Sequence, residues 1–324
     1  MTKCTICHEV ADHPDFKVKE MQYCLMDSFE YFQCINCHCI QIKSIPGNIS
    51  KYYPSNYYSF SDSLGNDLLE KRADFFHRTQ AAHFTGKKSF LGTIFSLGYH
   101  PSLWFEWVKL FCVSKNDRIL DIGTGSGLLL KKMWHHGYDH LAGVDPFISQ
   151  DYIFPGKLQI LKKDPLLMDE SKSFDLIMMH HSLEHMSDQD GIIAKVRKLL
   201  APSGKLLVRI PVYSKVLMEK YGTSLVSLDA PRHFFIHSIK SFSMLAERNG
   251  FKVQRIVFDA DSSSLWASEQ YKQGICMNAP NSYSLSRKAS PFSKKQIQQF
   301  KKEIGVLNKK KESDTAAFYL VKNS

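Results

Sequence analysis

From residue 117 onward, short apolar runs alternate with amphipathic stretches. The runs at 118–122, 140–144, 158–161, 174–180, 205–210, 252–258 and 316–321 predict strands. Between them, the 3.6-residue spacing of apolar positions predicts helices over 127–136, 189–200 and 239–249. The last helix is closed by Gly250, where a C-cap glycine belongs, and Ala201-Pro202-Ser203-Gly204 predicts a turn before the fifth strand. Strand–helix alternation of this kind implies an α/β fold with a seven-stranded, doubly wound parallel sheet. Residues 261–314 interrupt the alternation as a polar, partly helical insertion.

The pattern before residue 115 is different. Residues 1–45 carry short alternating stretches such as Glu30-Tyr31-Phe32-Gln33 among cysteines and read as small hairpins. Residues 46–66 form an aromatic connector, and 66–87 show a helical pattern through Leu68, Leu69, Ala73, Phe75 and Phe76. The stretch 89–105 lacks charge but contains Gly92, Gly98 and Pro101, which argues against one continuous helix. It suits packing on the following domain, a membrane surface, or a cover for an active site. The expected division is therefore 1–45, 46–114 and 115–324.

Composition narrows the class. The chain has 324 residues, 44% hydrophobic and 23% charged, within the range of soluble globular proteins. No apolar run approaches the roughly 18 residues that a membrane span requires. Met1-Thr2-Lys3-Cys4 has no apolar stretch behind its lysine, so a cytoplasmic chain is expected. The net charge of +10 owes much to Lys294, Lys295, Lys301, Lys302 and Lys309–Lys311. Such a tract reads as a solvated helix face or loop, with nucleic-acid binding as the alternative.

The segment Ile119-Leu120-Asp121-Ile122-Gly123-Thr124-Gly125-Ser126-Gly127-Leu128 runs an apolar strand through three alternate glycines into a helix. Glycine permits the tight turn, and the helix N-terminus offers free N–H donors. The spacing is GxGxG; a dinucleotide fingerprint would need glycine or alanine at Leu128. Asp145 ends the second strand, where a carboxylate can accept ribose hydroxyls, and Asp164 follows the third. With Phe174-Asp175, Leu183-Glu184-His185 and Leu200-Ala-Pro-Ser-Gly204, these motifs resemble class I S-adenosylmethionine (SAM)-dependent methyltransferases, nearest the ubiquinone and sugar methyltransferase branch. The resemblance covers about 115–260 and implies a Rossmann-like domain. It assigns the methionine portion of SAM to Gly123, Gly125 and Gly127, with Asp121 ahead of them, ribose to Asp145 and adenine to Asp164. Ser203 departs from the family, which often has two glycines at 203–204.

Cys4-Thr-Ile-Cys7 and Cys34-Ile-Asn-Cys37 form two CxxC pairs that can supply four thiolates to a structural zinc. Cys24, Cys39, His8 and His38 are alternative ligands, and unliganded thiols are the plainer reading. Cys112 and Cys276 read as isolated buried or inert thiols. The lobe resembles the N-terminal zinc-binding, zinc-ribbon-like domains of some bacterial sugar methyltransferases.

Ligands of open α/β sheets sit beyond the carboxyl ends of the strands, where His180-His181-Ser182-Leu183-Glu184-His185 and Arg232-His233 to His237 are expected. His185 or His233 is the candidate general base, oriented by Glu184. His181, Glu184 and His185, with His233, also resemble a motif that holds a divalent ion in some methyltransferases of this class. Histidine replaces its first glutamate, so magnesium fits poorly. The expected activity is methylation of a small hydroxylated acceptor such as a sugar or glycoconjugate precursor. The alternative is an RNA- or protein-directed methyltransferase, or a nucleic-acid-binding scaffold.

Overall fold

The computed structural model describes residues 1–54, 75–98, 101–154 and 158–323. The strands are, in chain order, β1 (Thr2–Lys3), β2 (Val10–Ala11), β3 (Asp15–Lys19), β4 (Ser28–Gln33) and β5 (Ile40–Ile42). They continue with β6 (Arg118–Ile122), β7 (His140–Val144), β8 (Tyr152–Phe154), β9 (Leu158–Leu161), β10 (Phe174–His180) and β11 (Leu200–Pro211). The last are β12 (Phe235–Ile236), β13 (Phe251–Phe258) and β14 (Thr315–Lys322). The chain divides into two compact units: Met1–Pro54, His181–Gln189 and Arg209–Phe318 form the first, and Ser55–His180, Asp190–Val208 and Tyr319–Ser324 the second.

The second unit is the α/β layer. Its strands belong to a sheet of eight, one more than the seven expected, in the order β13-β14-β11-β10-β6-β7-β9-β8, of which β13 is counted with the first unit. The centre is parallel: Leu176 of β10 lies opposite Ile119 of β6, Asp121 of β6 opposite Gly143 of β7, and Leu141 of β7 opposite Leu158 of β9. Such strands are covered on both faces, which is why Ile119, Leu120, Ile122, Ile177, Met178 and Met179 are all buried. The short β8, not expected from the sequence, pairs antiparallel with β9. β11 extends back through the expected turn at 201–204. There Leu200 and Ala201 are buried, and the backbone passes so close to Phe174 that a Cβ on Gly204 would lie 2.9 Å from the Phe174 carbonyl oxygen. Of the helical pattern at 66–87, the part described is Phe75–Phe84, and Leu68, Leu69 and Ala73 lie outside the described residues. The uncharged stretch that follows holds helix Phe90–Phe95 and the start of helix Trp104–Leu110, broken between them near Gly98 and Pro101.

The first unit holds the antiparallel sheet β12-β5-β4-β3, the β1–β2 hairpin, and the ends of β11 and β14 with β13. Its core joins Cys4, Tyr31 and Ile40 to Leu217, Leu228, Phe235, Leu265 and Leu307. The cysteine-rich segment therefore shares one apolar core with residues far along the chain. A stretch of about 45 residues buries too little surface to stand alone, and this packing supplies the rest. The 261–314 stretch contributes helices Ser263–Lys272 and Lys294–Lys310 to the same unit. In the second helix Ile297, Ile304 and Leu307 are buried while Lys294, Lys295, Lys301, Lys302, Lys309 and Lys310 are exposed, an ordinary solvated face.

Two cysteine expectations need correction. Cys24 is no alternative metal ligand and Cys276 no isolated thiol: they form a disulfide with Cα atoms 5.4 Å apart. Met277 N–H donating to the Met21 carbonyl and Asn278 N–H to that of Gln22 zip the two segments together beside the bond. With the partners 252 positions apart, no local spacing could have announced the pair.

Candidate functional site

The glycine turn lies wholly in the second unit. Gly123, Gly125 and Gly127 all adopt positive φ, of 74°, 53° and 72°, as a turn of alternate glycines requires. Gly127 caps helix Leu128–His135, and a Cβ there would fall 2.0 Å from Ile160 Cδ1. Any other residue would have to push the Ile160 side chain aside and hold a strained φ of +72°. Asp145, buried at the end of β7, accepts the Gly125 N–H through Oδ2 at 3.0 Å and the Phe147 N–H through Oδ1 at 2.9 Å. The second-strand acid thus clamps the turn it follows. Asp164 is exposed and caps the short helix Pro165–Leu167 by accepting the Leu166 N–H at 2.9 Å.

Asp121 is buried at the end of β6, and its Oδ1 has no hydrogen-bond partner among the described residues. Burial pushes its carboxyl up to about 7. An acceptor left unpaired beside a glycine turn fits the ammonium of an amino-acid ligand, which would satisfy the oxygen and favour its charged form.

The histidine cluster lies wholly in the first unit, on the short helix Leu183–His185 and the loop before β12. The loops are tied together by the Phe234 N–H donating to the Glu184 carbonyl and by Tyr31 Oη donating to the His233 carbonyl. Glu184 is buried, its carboxylate 3.4 Å from His181 Nδ1 and 4.0 Å from His233 Nε2. Burial alone would raise its pKa, but contact with His181 and the nearby His185 and His233 imidazoles hold it at about 2. His185 donates from Nδ1 to the Arg232 carbonyl at 2.8 Å, and His233 from Nδ1 to the Ser227 carbonyl at 2.7 Å. Each ring is thereby fixed in one tautomer that leaves Nε2 as the lone-pair nitrogen. Burial and the neighbouring His233 lower the pKa of His185.

The structure separates the other imidazoles from this pair. His181 is held between Arg209, bonded to Nε2, and Glu184, so both its nitrogens are engaged. His237 is a satisfied core residue between Ser241 and Gln189, and burial lowers its pKa to about 3. His180 belongs to the other unit, stacked on Trp107 with ring centroids 4.2 Å apart.

Three residues the sequence did not single out complete the cluster. Asp229 Oδ2 lies 3.9 Å from His233 Nε2, Tyr53 Oη lies 3.2 Å from His185 Nδ1, and Glu20 pairs with Arg232 at 2.9 Å. Arg232 is buried; it also donates to both Asp229 oxygens and to the Tyr52 carbonyl. The Glu20 carboxylate is further capped by the N–H groups of Gln22, Tyr23 and Leu25. Arg232 is thus a structural anchor whose own carbonyl positions His185. Only the Tyr52-Tyr53-Pro54 aromatic cluster gave any signal of this in the sequence.

Cys4, Cys7, Cys34 and Cys37 bring their sulfurs within 4.8 Å of one another. Both knuckles have the same geometry: the fourth residue's N–H, of Cys7 or Cys37, points at the first sulfur at 3.5 Å, and the backbone N–H of His8 or His38 donates to the first carbonyl at 2.9 Å. Gln41 Nε2 adds a donor to Cys4 Sγ at 2.9 Å. These donors suit thiolates, and four such sulfurs suit tetrahedral zinc. Cys39, His8 and His38 are outside the set.

Comparison with known proteins gives three findings. The family described as methyltransferase domain matches residues 95–256. The chain is 27% identical over 167 residues to the ubiquinone/menaquinone biosynthesis C-methyltransferase of Teredinibacter turnerae, covering 48% of this chain and 65% of that one. It is 32% identical over 101 residues to the ubiquinone biosynthesis O-methyltransferase of Pelagibacter ubique, covering 29% and 42%. The chain thus spans less than two thirds of either relative. A SAM-dependent methyltransferase structure from Archaeoglobus fulgidus covers 68% of this chain and all of its own, with 18% identity and a TM-score of 0.41. Among the described residues, no helix is long and apolar enough to cross a membrane.

Proposed function

We propose, on the premise that this chain belongs to the methyltransferase-domain family, that it transfers a methyl group from SAM to a small hydroxylated acceptor, a sugar or glycoconjugate precursor. The observation that carries the reading is the turn at Gly123–Gly127, clamped by Asp145 and bordered by Asp121, whose Oδ1 has no hydrogen-bond partner among the described residues. Gly123, Gly125 and Gly127 would face the methionine portion of SAM and Asp121 its ammonium. Asp145 would take the ribose hydroxyls and Asp164 the adenine edge.

When bound, SAM supplies a methyl carbon on a sulfonium, and transfer is an in-line displacement that depends on proximity and orientation. The chain's own contribution is the proton. His233 Nε2, flanked by the Glu184 and Asp229 carboxylates, would take up the proton of the acceptor hydroxyl as a general base. The two carboxylates stabilise the resulting imidazolium. His185, whose neutral form is favoured, orients the acceptor, while His181 fixes Glu184.

A second reading has an observation of its own. One ligand atom each from Glu184, His185 and His233 lie within 4.8 Å of one another, and each imidazole is anchored through Nδ1 on a carbonyl. This donor set suits a divalent transition ion better than magnesium. EDTA treatment separates the two. Activity lost with the chelator and restored by Mn²⁺, while the cysteine site keeps its zinc, selects the metal; unchanged activity selects the base.

Two expected outcomes follow. Titration calorimetry should find SAM binding that weakens below pH 7, roughly tenfold per pH unit, because the Asp121 carboxylate becomes protonated there. Asp121→Asn should bind weakly at every pH and flatten the profile. A wild-type affinity unchanged between about pH 5.5 and 8 would refute the ammonium contact. On the acceptor found by product mass spectrometry, His233→Ala should lower kcat by about 10²–10⁴ with the SAM Kd unchanged. Wild-type turnover in that variant sinks the base assignment.

A further inference from the structure

The helical segment ahead of β6 borders an open cavity that the glycine turn does not line. Helices Phe75–Phe84, Phe90–Phe95 and Trp104–Leu110 meet the far end of helix Leu128–His135 around a space of about 650 Å³. That volume falls in the range of small-molecule pockets. Its walls include the aromatic rings of Phe76, Phe95 and Trp104, with the first two 4.8 Å apart. The glycine turn begins the same helix that Lys132 and His136 finish, about 12 Å away at 1.5 Å per residue.

Two buried polar side chains line this cavity with hydrogen-bonding capacity unused. His136 is 6% exposed; its Nδ1 donates to the Lys132 carbonyl at 2.8 Å, and its Nε2 has no partner among the described residues. Burial pulls His136 down to about 4, so at neutral pH Nε2 is an acceptor. Trp104 is 3% exposed, and its Nε1–H donor also lacks a partner among the described residues. The two rings lie 5.4 Å apart, at 67°. An unmade donor and an unmade acceptor side by side are costly unless something supplies the complement. A hydroxyl does, since it accepts and donates at once. Lys132, half-buried in the same lining, adds a cation.

We propose that this cavity is a second ligand site, which takes a planar aromatic acid bearing a ring hydroxyl. The ring packs among Phe76, Phe95 and Trp104. The hydroxyl accepts from Trp104 Nε1–H and donates to His136 Nε2, and the carboxylate meets Lys132. The site is independent of the cofactor turn and of the histidine cluster.

The probe is 6-hydroxy-2-naphthoate, added to the full ¹⁵N-labelled chain. The chain has four tryptophans, so few indole N–H signals need assigning; the one that Trp104→Phe removes is that of Trp104. That signal should shift on titration and saturate. Trp104→Phe and Lys132→Met should each weaken binding about tenfold in calorimetry, as expected for loss of one good hydrogen bond or ion contact. Both variants should bind SAM as the wild type does. Saturating S-adenosylhomocysteine should leave the probe bound. The proposal is overturned if the Trp104 signal stays fixed up to millimolar probe, if S-adenosylhomocysteine displaces the probe, or if Lys132→Met binds it as the wild type does.

Discussion

Arg232→Met is expected to cost about 3–5 kcal/mol of stability and to disorder the histidine pair at the same time. Arg232 is buried with Glu20, whose side chain is also fully enclosed, and with Asp229. Removing the guanidinium leaves two carboxylates without their cation, one of them out of reach of water. Arg232→Lys should rescue little, because one ammonium cannot reproduce the planar fork that meets Glu20, both Asp229 oxygens and the Tyr52 carbonyl. Denaturant unfolding measures the loss, and its pH dependence supplies a second check. Burial would raise Asp229, but attraction to Arg232 wins and holds it at about 2, below its usual 3.8. A depressed carboxylate stabilises the fold above its unfolded pKa and loses that contribution as pH falls through its folded one. The wild type should therefore weaken between pH 3.8 and about 2. In Arg232→Met, Asp229 no longer has a depressed pKa, so this acid loss should vanish and the stability gap to the wild type should narrow as pH falls. A variant within 1 kcal/mol of the wild type, with the acid loss unchanged, would show that the guanidinium does not anchor this unit.

The second large effect is expected at the cysteine cluster. Protein purified without chelator should carry one zinc per chain, and Cys34→Ser should lose it. Binding free energies for structural zinc in small peptides reach about 10–16 kcal/mol, much of it appearing as folding free energy. Because Cys4, Cys34 and Cys37 share a core with Leu217, Leu265 and Leu307, the damage should not stop at residue 45. Hydrogen exchange should report joint loss of protection in β3–β5 and in the helices Ser263–Lys272 and Lys294–Lys310. Elemental analysis without metal, or loss of protection confined to residues 1–45, would count against this account.

These two expectations also mark where reading along the chain stops. The strands of the α/β layer, the glycine turn and the two CxxC knuckles are set by neighbours a few residues apart. Apolar spacing, the tolerance of glycine for positive φ and the reach of a cysteine side chain all act locally. Apart from β8 and the early start of β11, their positions were therefore legible in the residues alone, β6 at 118–122 included. The chemistry of the histidines was half legible. Their residue types were visible, but not that His185 and His233 are each anchored through Nδ1 on a carbonyl while His181 has both nitrogens engaged. Those distinctions depend on carbonyls and charges brought in from other segments. Arg232 and Glu20 are 212 positions apart, Tyr53 and His185 132, and Cys24 and Cys276 252. No periodicity connects residues so separated. Their pairing is decided when the apolar faces of the N-terminal strands and the C-terminal helices leave water together, and the polar groups carried inward must find partners in the same place.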